Sequence, residues 1–115
     1  MEIEKIFIIP LALIIMDYVF EVDDKTGRKI RLTEKQWKHI LKRHPDMINY
    51  KEEIKNTLKN PQKIADHPYD DEAKYYYKYL KQKADLDKYL LIIVKYLNGE
   101  GFIITTYFRK NLKWK

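Results

Sequence analysis

The sequence contains no cysteine, so disulfide bonds, thiol nucleophiles and cysteine-ligated zinc sites are excluded. It also lacks a Gly-rich loop that would hold a nucleotide phosphate, a G-x-S-x-G nucleophile elbow and an H-E-x-x-H zinc motif. The longest apolar run, residues 6–16, is too short to cross a bilayer and contains Pro10. Nucleotide hydrolysis, acyl transfer and membrane insertion therefore have no support in this sequence.

Basic and aromatic residues are the abundant ones. The 115 residues include 23 lysines and arginines against 17 acidic residues, a formal net charge of +6, and ten tyrosines. Cations neutralise phosphates and aromatic rings stack on unpaired bases, so this composition suits a polyanion such as a nucleic acid. A surface that lysine merely solvates would have the same composition. The absence of cysteine fits a reducing compartment, and we expect the protein in the cytoplasm.

The length predicts one domain. The apolar residues 1–15 form an N-terminal extension, and we expect a single compact domain in residues 16–115. Because a coherent pattern begins at Met16, this methionine is an alternative start of the chain. The extension lacks the small-residue cleavage site of a signal peptide.

The first half of the domain predicts a hairpin and two helices. Two β-rich runs flank a polar turn that ends in Gly27. Thr33 and Gln36 then form a capping box, in which the Gln36 side chain reaches back to the amide of the cap residue. Pro45 disfavours helical geometry at His44, so the first helix should end there. A second helix is expected from about residue 46 to residue 60.

The second half predicts strands only. Four β-like segments follow, and Asn98-Gly99 marks a tight hairpin turn between the last two. The segments are residues 62–67, 73–82, 89–97 and 102–108. We therefore predict an α+β fold, in which an N-terminal β-hairpin and two helices pack on an antiparallel four-stranded sheet.

Residues 37–47, W-K-H-I-L-K-R-H-P-D-M, combine histidines with cations on one short helix. His44 falls on the apolar stripe, whereas His39 lies on the basic side with Lys42 and Arg43. A packed helix-end imidazole and an inert surface histidine are the alternatives to a functional role. The two histidines are five residues apart and face differently, so we predict no metal site and no cofactor.

Cleavage of RNA requires no protein nucleophile, because the 2′-hydroxyl attacks the adjacent phosphate. The enzyme has to move two protons and stabilise the anionic transition state, which His, Lys, Arg and Tyr can do. Lys95 interrupts an apolar strand and is a candidate for anion binding. A two-residue loop would put it on one face with Thr106, whereas a longer loop or a bulge would join it to Thr105 and Tyr107.

Several short motifs follow one another along the chain in a familiar order. They are residues 37–47, E-I-K-N-T-L-K-N-P, the paired tyrosines, V-K and F-I-I-T-T-Y. Over residues 16–110, this order resembles the phage-associated branch of the nuclease superfamily that groups barnase, EndoU, tRNA-cutting colicins and RelE. The resemblance implies a RelE/barnase-like fold and metal-independent RNA cleavage. Carried over by position, the family's polar set falls on His39, His44, Tyr76, Lys95, Thr105 and Tyr107.

The leading hypothesis is therefore a small endoribonuclease, with a toxin role as one option. One of His39 and His44 would act as general base, the other histidine or Tyr107 as general acid, and Lys95 with Arg43 as phosphate clamp. The expected catalytic residues are His39, His44, Lys95, Thr105 and Tyr107, and the expected substrate-binding residues are Lys42, Arg43, Tyr76, Tyr77 and Arg109.

Two other classes of function remain as alternatives at this point. A non-catalytic RNA-binding domain of the same fold would bind RNA without cutting it. A phage or toxin–antitoxin partner-binding domain would have no RNA affinity, and a toxin would have a cognate antitoxin or immunity protein as its partner.

Overall fold

The computed structural model describes residues 18–111. The predicted extension of residues 1–15 and the alternative start at Met16 lie outside this range. Within it the chain forms six strands and two α-helices, with a 3₁₀ turn between the helices. These elements are β1 (Tyr18–Asp23), β2 (Lys29–Thr33), α1 (Glu34–Arg43), the 3₁₀ turn (Pro45–Tyr50), α2 (Lys51–Lys59), β3 (Lys63–Asp66), β4 (Ala73–Tyr79), β5 (Tyr89–Leu97) and β6 (Glu100–Arg109).

The helix boundaries follow local rules. The Thr33 hydroxyl accepts a hydrogen bond from the Gln36 amide at 3.1 Å, as expected of an N-cap. His44 leaves helical geometry with φ −135° and ψ 72°, as expected of a residue that precedes proline. Pro45 then opens the 3₁₀ turn, so α2 begins at Lys51, later than the periodicity alone predicts.

The sheet has six strands in the order β1-β2-β6-β5-β4-β3. The predicted four-stranded antiparallel sheet is present as β3 to β6. The α+β class is confirmed, but the prediction of only four antiparallel strands was wrong. The N-terminal hairpin joins the sheet edge instead of packing on it, because β2 pairs in parallel with β6. The sheet is therefore mixed.

Gly101 explains why the hairpin can join the sheet there. Ile30 of β2 pairs with Gly101, and a Cβ atom on this glycine would lie 3.0 Å from the Ile30, Val94 and Tyr96 side chains. Any other residue would force these neighbours to shift, so glycine suits this close approach. Arg31 then forms ion pairs with Glu21 on β1 and Glu100 on β6, which tie three neighbouring strands together.

One face of the sheet, called here the inner face, carries the hydrophobic core. Both helices pack on it, and the strand residues of the core alternate with residues of the opposite, outer face. The core consists of Phe20, Val22, Ile30, Leu32, Trp37, Ile40, Met47, Ile54, Leu58, Tyr76, Leu90, Ile92, Val94, Tyr96 and Ile103.

A bulge in β6 decides the register that the sequence left open. The turn between β5 and β6 is the two-residue Asn98-Gly99 loop, with positive φ at both residues. The register shifts between Ile93 and Val94, which leaves Ile104 as the extra residue. The shift brings Lys95 to the same face as Thr105 and Tyr107 and leaves Thr106 on the inner face.

Helix α1 runs beside β6 where the sheet ends. The pairing of β2 with β6 stops at Phe102, and beyond it β5 is the only strand partner of β6 within residues 18–111. The Gln36 side-chain amide donates a hydrogen bond to the Ile104 carbonyl at this edge. The predicted return of Gln36 to its own N-cap amide is therefore replaced by a contact with a distant strand. This position brings the end of α1 near the outer face.

Candidate functional site

The outer face of the sheet carries most of the polar side chains that the sequence singled out. Residues that pair directly across strands share a face, so the register assigns the side chains to it. Its members include Tyr75, Tyr77, Tyr79, Tyr89, Leu91, Ile93, Lys95, Thr105, Tyr107 and Arg109. Three of the five expected catalytic residues, Lys95, Thr105 and Tyr107, are among them.

His44 reaches the outer face from the end of α1 and stacks on Tyr107. The two ring centroids lie 5.2 Å apart, and the ring planes differ by 19°. The His44 backbone N–H donates to the Ile40 carbonyl at 2.7 Å, which closes the last turn of the helix and fixes where the imidazole starts. Both side chains are partly exposed. An imidazole and a phenol, both able to exchange protons, therefore sit together at an accessible surface.

Arg109 lies two residues after Tyr107 on the same face, beside the tyrosines of β4. Burial raises the pKa of Tyr77 to about 12, and the positive charge of Arg109 opposes this rise. Burial also raises the pKa of Tyr75. Both phenols therefore stay protonated at neutral pH. Tyr77 is fully buried although it was expected to bind substrate, whereas Tyr75 on the same face is partly exposed.

Lys95 lies at the other end of the outer face and already has carboxylate partners. Its ammonium is 2.6 Å from Asp70 and 3.5 Å from Glu72, both in the segment before β4. The hydrogen bond between them raises the pKa of Lys95 and lowers that of Asp70. Lys95 and Leu91, the strand partner of Tyr107, are four residues apart, roughly 13 Å along β5. The structure therefore does not bring Lys95 next to His44.

His67 is a member of this surface that was not among the expected site residues. Its ring lies 5.2 Å from the Tyr75 ring in an edge-to-face arrangement. The sequence gives little reason to single out His67, because it follows a short strand and precedes Pro68 in a polar segment. Only the pairing of β3 with β4 brings it onto the outer face.

The other polar residues that were expected to act from α1, His39, Lys42 and Arg43, are exposed on the helix surface. Within residues 18–111, none of them takes part in an ion pair or a ring contact. Lys95 is paired with Asp70 and Glu72 instead of standing beside Arg43. The clamp of Lys95 with Arg43 therefore stays a prediction.

Tyr76, expected to bind substrate, is instead part of a buried polar cluster. Its side chain is 1% exposed, and its hydroxyl lies 2.6 Å from that of Tyr96 and 3.4 Å from Asp24. Adjacent strand residues face opposite ways, so Tyr76 points into the core while Tyr75 and Tyr77 face outward. It is not available to a substrate on the outer face.

Asp24 is the centre of this buried polar cluster, which we define as Asp24, Tyr76 and Tyr96. Burial by itself would raise the pKa of the carboxyl, but hydrogen bonds from Thr26, Tyr96 and Arg28 outweigh it and lower the pKa to about 2. The Tyr96 hydroxyl donates to Asp24 at 2.7 Å. Burial, together with the charge of Asp24, raises the pKa of Tyr96 and of Tyr76.

Comparison with protein families identifies the chain. Residues 7–115 match the model of the family described as phage-Barnase-EndoU-ColicinE5/D-RelE like nuclease2 (PBECR2). The protein is a member of this nuclease family. The suspected relationship is thereby confirmed, and the match begins inside the segment that we described as an extension. Neither the curated proteins nor the solved structures gave a match.

Two further observations concern the described part of this PBECR2 protein. No helix in residues 18–111 is long and apolar enough to cross a membrane. In the same residues, no three His, Asp or Glu side chains cluster as a metal site requires.

Proposed function

We propose that this PBECR2 protein is an endoribonuclease that cleaves RNA without a metal ion, through attack of the 2′-hydroxyl on the neighbouring phosphate. The observation that carries the proposal is the stacked His44–Tyr107 pair on the outer face, 5.2 Å between centroids. The nuclease family supplies the class of substrate, a nucleic acid. This pair supplies proton-exchanging groups of the kind that the reaction needs.

In this proposal His44 is the general base and Tyr107 the general acid. The imidazole takes the proton of the 2′-hydroxyl, and the 2′-oxygen forms a bond to phosphorus. The P–O5′ bond breaks, and the phenol donates its proton to the leaving 5′-oxygen. The products are a 2′,3′-cyclic phosphate and a free 5′-hydroxyl, with the imidazole protonated and the phenol deprotonated until water restores both. Near-parallel rings can present their polar ends to one phosphate, which supports assigning both roles within the pair.

Arg109 and Thr105 complete the proposed site. Both are on β6, on the same face as Tyr107 and two residues from it. The guanidinium stabilises the extra negative charge of the phosphorane, and a planar cation with several donors suits phosphate oxygens. The Thr105 hydroxyl is a further donor. Lys95 becomes a binding residue for a neighbouring phosphate, since it is too far along β5 to act in the same step.

The test begins with purified protein and structured and unstructured RNA in the presence of excess chelator. We expect cleavage that leaves 2′,3′-cyclic phosphate ends. His44→Ala should lower the cleavage rate by about 10²- to 10⁴-fold, the usual contribution of a general base. Cleavage that disappears with the chelator, or that His44→Ala leaves intact, would rule out the proposed mechanism.

The parallel variant His39→Ala decides between the two histidines of α1. Both substitutions remove an imidazole from the same helix, but only His44 has a ring partner on the outer face. We expect His44→Ala to lose cleavage far more than His39→Ala. A larger loss of cleavage in His39→Ala than in His44→Ala would mean that His39, on the exposed surface of the helix, is the base.

A non-catalytic RNA-binding domain is the second candidate, and one observation favours it. Lys95, the cation that the resemblance assigned to the phosphate, is already paired with Asp70 and Glu72. Such a domain would bind RNA with an affinity that falls with salt and would cut none of the substrates. Wild-type protein that binds but does not cleave would select this alternative.

A toxin role is a separate part of the proposal, with an antitoxin or immunity protein as the implied partner. Expression of the wild-type chain should then arrest growth, and His44→Ala should relieve the arrest at equal protein level. Arrest by both forms alike would separate toxicity from RNA cleavage.

A further inference from the structure

Tyr69 is the most exposed large hydrophobic side chain among the described residues, with 92% of its surface in contact with solvent. It lies in the segment 67–72, which joins β3 to β4 at the Lys95 end of the outer face. An isolated exposed side chain needs no explanation by itself. The surroundings of Tyr69, however, are those of a recognition site.

The backbone under Tyr69 is fixed by hydrogen bonds. The Tyr69 amide donates to Nδ1 of His67 at 3.0 Å, and the His67 amide donates to the Ala73 carbonyl at 3.2 Å. The Ala73 amide donates a hydrogen bond to the Asp70 carbonyl at 3.1 Å, and the backbone amide of Glu72 donates one to the Asp70 carboxylate at 2.9 Å. The exposed ring is therefore held on an ordered loop, so a ligand that binds it pays little for ordering the loop.

The ring of Tyr69 is the outermost of a row that leads onto the sheet. It lies 6.4 Å from the His67 ring, His67 lies 5.2 Å from Tyr75, and Tyr75 lies 6.1 Å from Tyr77. All three contacts are edge-to-face. His67 Nδ1 accepts the hydrogen bond from the Tyr69 amide. The neutral imidazole therefore carries its proton on Nε2, and this N–H group can donate a hydrogen bond.

The loop itself is acidic, with Asp70, Asp71 and Glu72, so the cations that a nucleic-acid backbone needs lie beside the loop and not in it. Lys95 lies behind the same loop, held by Asp70, and Arg109 occupies the outer face beyond Tyr75 and Tyr77. The chain as a whole has a formal net charge of +6. Sites for single strands combine aromatic rings for stacking with cations that follow the backbone. An exposed ring at the edge of such a face therefore has an unpaired base as its fitting ligand.

We propose that Tyr69 and His67 form a subsite for one unpaired nucleobase of the RNA substrate, with Tyr69 as the stacking platform and His67 Nε2 as a hydrogen-bond donor. The proposal rests on the proposed function and adds its substrate class, single-stranded RNA. Double-stranded RNA would not fit, because its bases are stacked on one another and cannot reach the ring.

The experiment measures binding separately from cleavage. The probe is a short single-stranded RNA with 2′-O-methyl groups, which removes the attacking hydroxyl, and with one 2-aminopurine whose fluorescence reports stacking. We expect Tyr69→Ala to weaken binding by about 5- to 100-fold and to abolish the fluorescence change. Tyr69→Phe keeps the ring and should bind within about twofold of the wild type.

Leu86→Ala is the matched control. Leu86 is 76% exposed in the segment between β4 and β5, at the opposite end of these strands, so its loss also removes an exposed apolar side chain. Binding of the same oligonucleotide annealed to its complement should be equally weak for wild type and Tyr69→Ala. Circular dichroism and the urea midpoint confirm that each variant is folded.

The outcomes separate the subsite from the reaction. Tyr69→Ala that binds the single strand like the wild type, or that loses affinity no more than Leu86→Ala, overturns the subsite even if the wild type cleaves RNA. Binding that depends on Tyr69 in a protein that cleaves no RNA supports the subsite and rejects the nuclease mechanism. A wild-type protein without affinity for the single strand overturns the subsite.

Discussion

Two groups of polar side chains lie on opposite faces of the same sheet, and they differ in what surrounds them. On the inner face, the buried polar cluster of Asp24, Tyr76 and Tyr96 is shielded from water. On the outer face, His44 and Tyr107 stack at a surface that solvent reaches. The members of the first group are hydrogen-bonded to one another, whereas the side chains of the second group stack on each other and are partly exposed.

The difference shows that the type of residue is a poor guide to its role. Tyrosines occur in both groups, and Tyr76 and Tyr77 are adjacent in the sequence. The Asp24 carboxylate already accepts hydrogen bonds on both oxygens, so it has little capacity left for a substrate. A satisfied buried group stabilises the fold, and partly exposed groups are the better candidates for chemistry.

Replacing one tyrosine of each group by phenylalanine tests whether the two groups have different roles. Tyr107→Phe removes only the proposed acid, so we expect the cleavage rate to fall by about 10²-fold or more while stability barely changes. Tyr96→Phe removes one donor to Asp24, so we expect a loss of about 1–2 kcal/mol in the free energy of unfolding. Cleavage assays and urea titrations of both variants measure the two effects. Equal effects of both variants on cleavage would erase the distinction.

Loss of the carboxylate at the centre of the buried polar cluster should have the largest effect on stability. Asp24→Ala leaves the Tyr96 hydroxyl and the amides of Thr26 and Arg28 without their acceptor. We expect the free energy of unfolding to fall by about 3 kcal/mol, because unpaired buried donors are costly. The folded fraction should still cleave RNA at the wild-type rate. A urea titration with an activity assay checks both expectations.

Strong acid should weaken the inner group. The pKa of Asp24 is lowered from its usual 3.8 to about 2 in the folded state, so the ionised carboxylate favours folding above pH 3.8. This contribution, about 2 kcal/mol, is lost as the pH falls from 3.8 towards 2. Urea midpoints between pH 7 and 2 should decline less steeply for Asp24→Asn than for the wild type. Parallel declines would mean that Asp24 is not the group that titrates.

The smallest expected effect concerns Lys95 and its carboxylate partner. Asp70→Asn keeps an oxygen for the Glu72 amide but removes the nearer of the two negative charges that face Lys95. We expect RNA to bind about two- to fivefold more tightly at low salt, with the gain disappearing at high salt. Asp85→Asn breaks another Lys–Asp pair, with Lys83, and serves as the control. An equal gain in both variants would indicate a change in net charge alone.

Local rules predicted the elements of this fold well. The hairpin, the Thr33 cap, the end of α1 before Pro45 and the four strands of the second half follow from turn chemistry, capping and alternation. These features depend on neighbours in the sequence, which the sequence displays directly. The face of each β4 tyrosine also followed from alternation, although the use of Tyr76 did not.

Long-range contacts account for what was missed. The parallel pairing of β2 with β6 joins residues about 70 positions apart, as in Ile30 with Gly101, and no local pattern records it. The register of Lys95 depended on a bulge at Ile104. The partner of Lys95, Asp70, lies in a polar segment without motif character. The candidate site was therefore predicted in its members on β6 and in His44, and missed at its His67 end.

The hydrogen bond from Gln36 to the Ile104 carbonyl has a consequence for how the molecule behaves in a crowded solution. A strand edge with unpaired carbonyls can pair with a strand of another molecule and so promote aggregation, and proteins commonly cover such edges. Here α1 covers the edge of β6 just where β2 ends, and the same helix delivers His44 to the outer face. The cover of this strand edge and the position of His44 thus depend on the same packed helix, so a variant that loosens α1 would disturb both at once.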